Sequence, residues 1–310
     1  MTAHVSSTVD AREARRIHGL LLRWYRANAR VLPWRDHHDP YAILVSEIML
    51  QQTQAARVLE HLPRWLERFP DISALARATR RDVLLAWAGM GYNRRAIALH
   101  EAAQRILHAH NGCVPSHIED LLALPGVGVY TAHAVRCFGF RLREALVDVN
   151  VRRVFSRLFV AQRSESDMES EAWSWDTARD MLPPRAFYNW NQALMDLGAL
   201  VCTARAPRCA QCPLSSACAS AFKLLPSERG PRGLVRETPR RIHRGRILQL
   251  LREAPAHTLG FEELLAAVYG PRTDGVQLLE DALRTLEADG LARRIAAHDG
   301  SRTLRVELAE

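Results

Sequence analysis

Lysine is nearly missing from this chain. Lys223 stands alone, so 41 of the 42 basic residues are arginines, and amine chemistry is confined to one side chain. No run of about 18 apolar residues occurs, so no segment reads as a membrane span. The N-terminal stretch MTAHVSSTVDAREARR has no apolar signal core, and a cytoplasmic protein is expected. Internal repeats and low-complexity tracts are absent too. Cysteines number six in 310 residues, too few for a disulfide-dense scaffold. What is present is ordinary globular composition, 48% apolar and 25% charged, which excludes disorder as the main state. The length suits about two domains. A net charge of +8 favours an anionic partner.

Helical periodicity dominates from residue 11 to about 218. Asp39-Pro40 reads as an N-cap followed by proline at the first helical position. The helix it opens is expected to run through YAILVSEIMLQQTQAARVL. Asn150 is expected to cap the helix VRRVFSRLF. A basic linker is read at 223–240, where arginines and three prolines crowd together. Residues 241–310 hold three amphipathic helices, then two short strands around an Asp299-Gly300 turn. That is the outline of a winged helix.

Four cysteines fall within seventeen residues as Cys202-x6-Cys209-x2-Cys212-x5-Cys218. Four thiolates so spaced suit tetrahedral zinc or an iron–sulfur cluster, and chemistry alone does not separate them. Cys113 and Cys137 stand apart and read as buried free thiols. LPGVGVYTAHAV places Gly126 and Gly128 between two helices. Glycine permits the tight turn, and the backbone amides before the second helix suit a phosphate.

Glu47 sits inside the apolar run ILVSEIML. At helical spacing Glu47, Gln51 and Gln54 share a narrow polar face, which suits the wall of a site. Burial there raises a carboxyl pKa, as a general acid requires. Asp148 follows the apolar ALV. It reads as an N-cap or arginine partner, or as the second carboxylate of an acid/stabiliser pair for glycosidic cleavage.

SEIMLQQTQ, GMGYNRRA, LPGVGVYTA, DVNVRR, NQALMDLGALVCT and the cysteine loop occur in this order. Together, over about residues 15–220, they resemble the MutY family of adenine-specific mismatch DNA glycosylases, in the helix–hairpin–helix superfamily that includes endonuclease III. The resemblance implies a mainly α, two-lobed helix–hairpin–helix glycosylase core with a 4Fe–4S cluster held by Cys202, Cys209, Cys212 and Cys218. The cluster lobe would take 1–20 and 140–222, and the six-helix barrel lobe 21–139. Glu47 matches the catalytic acid and Asp148 the carboxylate that stabilises the sugar cation. Tyr130 and Asn150 match residues that assist them. Gln192 and Arg30 match contacts to the extruded adenine. Trp34 and Arg35 belong to the LPWR motif that closes the pocket. Tyr92 matches the wedge entering the base stack, and Gln52 lies on the helix facing the mispair. Gly126, Gly128 and Val129 would hold DNA phosphate.

Endonuclease III-like lyases carry a Schiff-base lysine where Tyr130 stands. The resemblance therefore implies a monofunctional enzyme of base excision repair, nucleoid-associated and monomeric. It would act on double-stranded DNA with adenine opposite 8-oxoguanine or guanine. Well-known members carry a Nudix-like C-terminal domain; the winged-helix-like tail marks this chain as a short form. A thymine/uracil mismatch glycosylase and a non-catalytic iron–sulfur DNA-binding regulator are the competing readings.

Overall fold

The computed structural model describes residues 10–35, 38–159, 171–223, 240–271, 273–296 and 304–310. Most of the linker expected at 223–240 lies outside them, as do Asp299 and Gly300. The early helices are α1 (Ala11–Asn28), α2 (Pro40–Leu50), α3 (Ala55–Arg68), α4 (Ile72–Arg77), α5 (Arg80–Ala86) and α6 (Arg94–Ala109). They are followed by α7 (Ile118–Leu122), α8 (Val129–Ala134), α9 (Val149–Leu158), α10 (Glu171–Asp180) and α11 (Phe187–Leu200). The tail holds α12 (Arg240–Glu253), β1 (Thr258–Gly260), α13 (Phe261–Tyr269), α14 (Gly275–Ala288), β2 (Ala292–Ala296) and β3 (Leu304–Leu308). Among the described residues, no helix is long and apolar enough to cross a membrane.

The chain divides into two compact units. One comprises Met1–Glu47, Ser116–Leu122 and Val127–Gly230; the other comprises Ile48–Pro115, Ala123–Gly126 and Pro231–Glu310. The first is built on helical spacing. Val151, Val154, Phe155 and Leu158 line one face of α9, and Trp190, Ala193, Leu194 and Leu197 one face of α11. Both sets follow i, i+3, i+4, i+7. They share a core with Ile17 and Leu21 of α1, and Cys202, Cys212 and Cys218 pack against its edge.

In the second unit, Val58, Leu62 and Trp65 form the buried face of α3, and the Trp65 and Trp87 rings meet edge-on at 5.4 Å. The tail is a winged helix, and it has one strand more than the sequence suggested. Three-residue β1 pairs with β3, and β3 with β2, all antiparallel, in the order β1-β3-β2. Its core is not self-contained. Leu84 of α5 and Ile97 of α6 join Ile247, Leu248, Leu251, Leu283 and Val306 in one buried cluster.

Three local expectations are corrected. The helix from residue 41 does not continue to 59: α2 ends at Leu50, Gln52 takes φ 57, and α3 starts at Ala55. The cause is tertiary. Arg95 Nη1 donates to the carbonyls of Ile48 (3.0 Å), Met49 (2.9 Å) and Gln51 and so captures the end of α2. Gln51 and Gln54 therefore do not extend the Glu47 face. The cap of α9 is Asp148, not Asn150: Asp148 precedes the first turn and its carboxylate accepts from two amides of that turn, whereas Asn150 already lies inside the helix. Cys137 is buried, but Cys113 is exposed.

Because the tail shares its core with α5 and α6, Leu84→Ala and Leu251→Ala should each cost about 2–5 kcal/mol. Both should lower the same thermal transition in calorimetry. Separate transitions for tail and barrel would contradict the shared core.

Candidate active site

Residues 41–49, nearly all of α2, are buried. Asp39 opens the helix by accepting from the amides of Tyr41 (3.1 Å) and Ala42 (3.2 Å). Glu47, on this buried helix, is only 6% exposed. Burial raises its pKa from 4.5 to about 7; a bond from the Tyr130 hydroxyl opposes this, while the Asp148 charge adds to it. Arg35 pulls weakly the other way. At neutral pH this carboxyl is about half protonated. Tyr130 also reaches the Met195 sulfur at 3.4 Å, and burial holds its phenol well above the ordinary range.

Asp148 has the opposite surroundings. Its Oδ1 accepts from the amides of Asn150 (2.9 Å) and Val151 (2.7 Å), and its Oδ2 from Asn150 Nδ2 (2.8 Å). Three donors at the N-terminus of α9 suit a charged carboxylate. Asn150 is itself fixed, since its Oδ1 accepts from Arg153 Nη2 at 2.8 Å. Arg153 also donates to the carbonyls of Gly198 and Cys202, both at 2.8 Å. Helix α11 meets α9 at Gly198, where a Cβ would lie 2.6 Å from the Asn150 Cβ.

Arg30 and Arg35 converge on Asp196. Arg35 donates both terminal nitrogens to its carboxylate (2.9 and 2.7 Å); Arg30 gives its amide (3.0 Å) and Nε (2.6 Å). The Asp196 side chain is wholly buried. Burial works to raise its pKa, but the arginine bonds outweigh it and hold the group below the carboxylate range. Sequence reasoning missed Asp196, although a carboxylate inside the apolar run NQALMDLGAL carries the same signal as Glu47. Trp34 is buried beside this bracket. Gln192 is buried and bonds Tyr188, whose hydroxyl donates to the Arg35 carbonyl at 2.8 Å.

Glu47, Tyr130, Asp148, Asn150 and Arg35 thus act on one another within the first unit. Gln52 and Tyr92 lie in the second. Both are exposed and both adopt left-handed backbone, φ 57 and 47, a conformation that costs a non-glycine residue about 1–3 kcal/mol. Arg95, also missed from sequence, binds both turns. Besides the α2 carbonyls it donates to Gly91 O at 3.2 Å, and its guanidinium lies 5.3 Å from the Tyr92 ring. In the hairpin, Gly126 has φ 76 and its Cβ would come within 2.9 Å of Ala98 Cβ, so only glycine fits. Gly128 begins α8 in extended backbone, and Val129 is exposed.

The four cysteines line one cavity together with Arg157 and Arg208. Arg157 Nη1 lies 3.4 Å from Cys202 Sγ and 2.8 Å from Thr203 O. Among the described residues no three metal-ligating side chains converge closely enough for a single ion. Four sulfurs on the wall of one cavity are a donor set that suits a zinc ion or an iron–sulfur cluster.

Residues 45–179 match the HhH-GPD superfamily of base excision DNA repair proteins. An adenine DNA glycosylase of Mycobacterium tuberculosis is 46% identical over 278 residues, covering 88% of this chain and 89% of the relative. The chain belongs to the adenine DNA glycosylase family. The Mycolicibacterium smegmatis member is 42% identical over 76% of this chain and 80% of its own length. The human member, 38% identical, is matched over only 40% of its own length. A thermostable thymine-DNA glycosylase has the same fold over 69% of this chain and 98% of its own, with TM-score 0.63 and 29% identity. An endonuclease III solved in a non-covalent DNA complex shares the fold at TM-score 0.61, 22% identity, 69% of this chain and 98% of its own.

Gly198→Ala should push Asn150 away and loosen Asp148, a steric effect at a site with no slack. Asp196→Asn should leave two guanidinium groups without their carboxylate and cost about 3–5 kcal/mol. Denaturant unfolding measures the second. For Gly198→Ala the amide resonances of Asn150 and Val151 should shift, and unchanged resonances would show that α9 tolerates the methyl group.

Proposed function

We propose that this protein is a monofunctional glycosylase that hydrolyses the N-glycosidic bond of adenine mispaired with 8-oxoguanine or guanine in double-stranded DNA. The observation that carries the reading is the pairing of a protonatable Glu47 with a fully hydrogen-bonded Asp148. Two carboxyl groups with divergent surroundings divide the roles of acid and anion. The adenine leaves the duplex because its glycosidic bond is inaccessible in the stack, and a mispair lowers the cost of extrusion. Glu47 gives its proton to a ring nitrogen of the base. The glycosidic bond then breaks with its electron pair going to adenine, and the Asp148 carboxylate balances the positive charge on the sugar. Water adds to the anomeric carbon, and its proton returns to the Glu47 carboxylate. Tyr130 and Asn150 orient the two carboxyl groups. Tyr130 has no amine to form a Schiff base, so the abasic strand is left intact.

Gln192, Trp34, Arg30 and Arg35 form the base-binding side of this reading, the two arginines through the bracket around Asp196. Tyr92 enters the base stack and Gln52 faces the mispair; their strained, exposed backbone supports both roles. Gly126, Gly128 and Val129 offer backbone amides to a phosphate. Cys202, Cys209, Cys212 and Cys218 would hold a 4Fe–4S cluster, which would supply structural stability and DNA affinity rather than bond cleavage. Adenine is favoured over thymine because identity to adenine glycosylases reaches 46%, against 29% for the thymine enzyme.

Single-turnover release from duplexes with adenine opposite 8-oxoguanine, guanine, cytosine or thymine tests the reading. Release opposite the two guanines is expected, and thymine or uracil release from G·T and G·U duplexes in its place would overturn it. The acid form of Glu47 is the active one, so the rate should fall as pH rises through about 7. Glu47→Gln should retain mismatch binding and lose about 10²–10⁴-fold in rate; a wild-type rate would remove Glu47 from the acid role. Cys209→Ser should abolish the visible absorbance of the purified protein and weaken DNA binding.

A further inference from the structure

The loop that carries Tyr92 is clamped from several directions. Gly89 and Gly91 take φ 85 and 70, and Tyr92 follows at φ 47. Trp87 Nε1 donates to Gly91 O at 2.9 Å, Arg57 Nη1 to Gly89 O at 3.0 Å and His61 Nε2 to Ala88 O at 2.9 Å. Those contacts come from the helices around the loop. One more comes from the tail, where Arg252 Nη2 donates to Asn93 Oδ1 at 2.6 Å.

Both ends of that bond are unusual. Asn93 stands at the N-cap of α6, yet its side chain caps no amide; its oxygen is spent on Arg252. Arg252 lies on α12, half-buried, with a buried Nε that finds no partner among the described residues. Desolvating a guanidinium is costly, and among the described residues the guanidinium's hydrogen bond goes to the residue after Tyr92. The tail that supplies it is firmly seated. Besides the shared Leu84 and Ile97 core, Arg81 pairs with Glu310 at 3.3 Å and Arg94 with Asp289 at 3.3 Å.

The third helix of the tail is a poor phosphate grip. Helix α14, the recognition-helix position of a winged helix, carries Glu280, Asp281 and Glu287 against Arg284 alone. Arg294 is taken up by Glu280 (2.8 Å) and Glu287 (2.7 Å). We propose that the winged-helix-like tail is a positioning element of the glycosylase: Arg252 holds Asn93 and so sets the direction in which Tyr92 leaves its loop. This rests on the stack-entering role of Tyr92 proposed above.

The test uses the full chain and a duplex with 2-aminopurine opposite guanine, whose fluorescence rises when the base unstacks. At saturating protein, Arg252→Ala should at least halve the rise. It should also slow adenine release about tenfold, the scale of one charge-assisted hydrogen bond. Mismatch affinity and thermal melting should change little. Asn93→Ala removes the same bond from the other side and should reproduce the loss. In a Tyr92→Ala background, Arg252→Ala should add nothing further. An undiminished fluorescence rise in both single variants overturns the proposal, and so do losses that add to that of Tyr92→Ala. If the wild-type protein unstacks the probe but releases no adenine, the glycosylase reading fails, and the fluorescence series still decides the role of Arg252.

Discussion

A carboxyl group buried in an apolar helix is the constraint on which the rest of this molecule depends. Helix α2 is buried almost throughout, and this desolvation, more than any neighbouring charge, lifts Glu47 to about 7. The same residue on an exposed helix would be a carboxylate with no proton to give at neutral pH. Asp148 needs the reverse, and it has two amides and a side-chain amide instead of apolar walls. The chemistry follows from holding two chemically similar groups in unlike surroundings.

That arrangement opposes folding. A carboxyl whose pKa is higher in the folded state binds its proton more tightly there. Stability is therefore fully present below about 4.5 and is lost as pH rises through about 7. The full difference is roughly 3 kcal/mol, a sizeable share of a domain's net stability. The surroundings of Glu47 must be rigid enough to bear it. Two brackets supply rigidity within the same unit. Asp196 gathers Arg30 and Arg35, and Arg153 joins the Gly198 and Cys202 carbonyls to Asn150 and hence to Asp148. The second bracket runs from the cysteine loop to the Asp148 carboxylate in two side chains.

Local chemistry made part of this legible in sequence. Asp39-Pro40 announced a helix start. The apolar run around Glu47 announced a buried carboxyl, and the cysteine spacing announced that the four thiols act as one set, which the structure brings to one cavity. Three helices and a hairpin announced a winged helix. Features made by distant contacts were not legible. The residues QQTQ contain no glycine or proline, so nothing local marks the break after Leu50; Arg95, more than forty positions on, makes it. Strand β1 has three residues and exists only because β3 pairs with it. Asp196 was readable by the rule that found Glu47, but its two arginine partners lie more than 160 residues away in the chain.

The near absence of lysine takes on a structural meaning in this light. Several arginines act as forks that collect carbonyl oxygens rather than as surface charges. Arg95 gathers the ends of two turns, Arg157 the cysteine loop, and Arg153 two helices and a loop. A planar guanidinium offers five fixed donors; an ammonium offers three on a flexible stem. Replacing any of these forks by lysine would keep the charge and lose the geometry. The net charge of +8 therefore overstates the positive surface available to DNA. Arg30, Arg35, Arg95, Arg153 and Arg157 are turned inward to hold turns and carboxylates rather than outward to solvent.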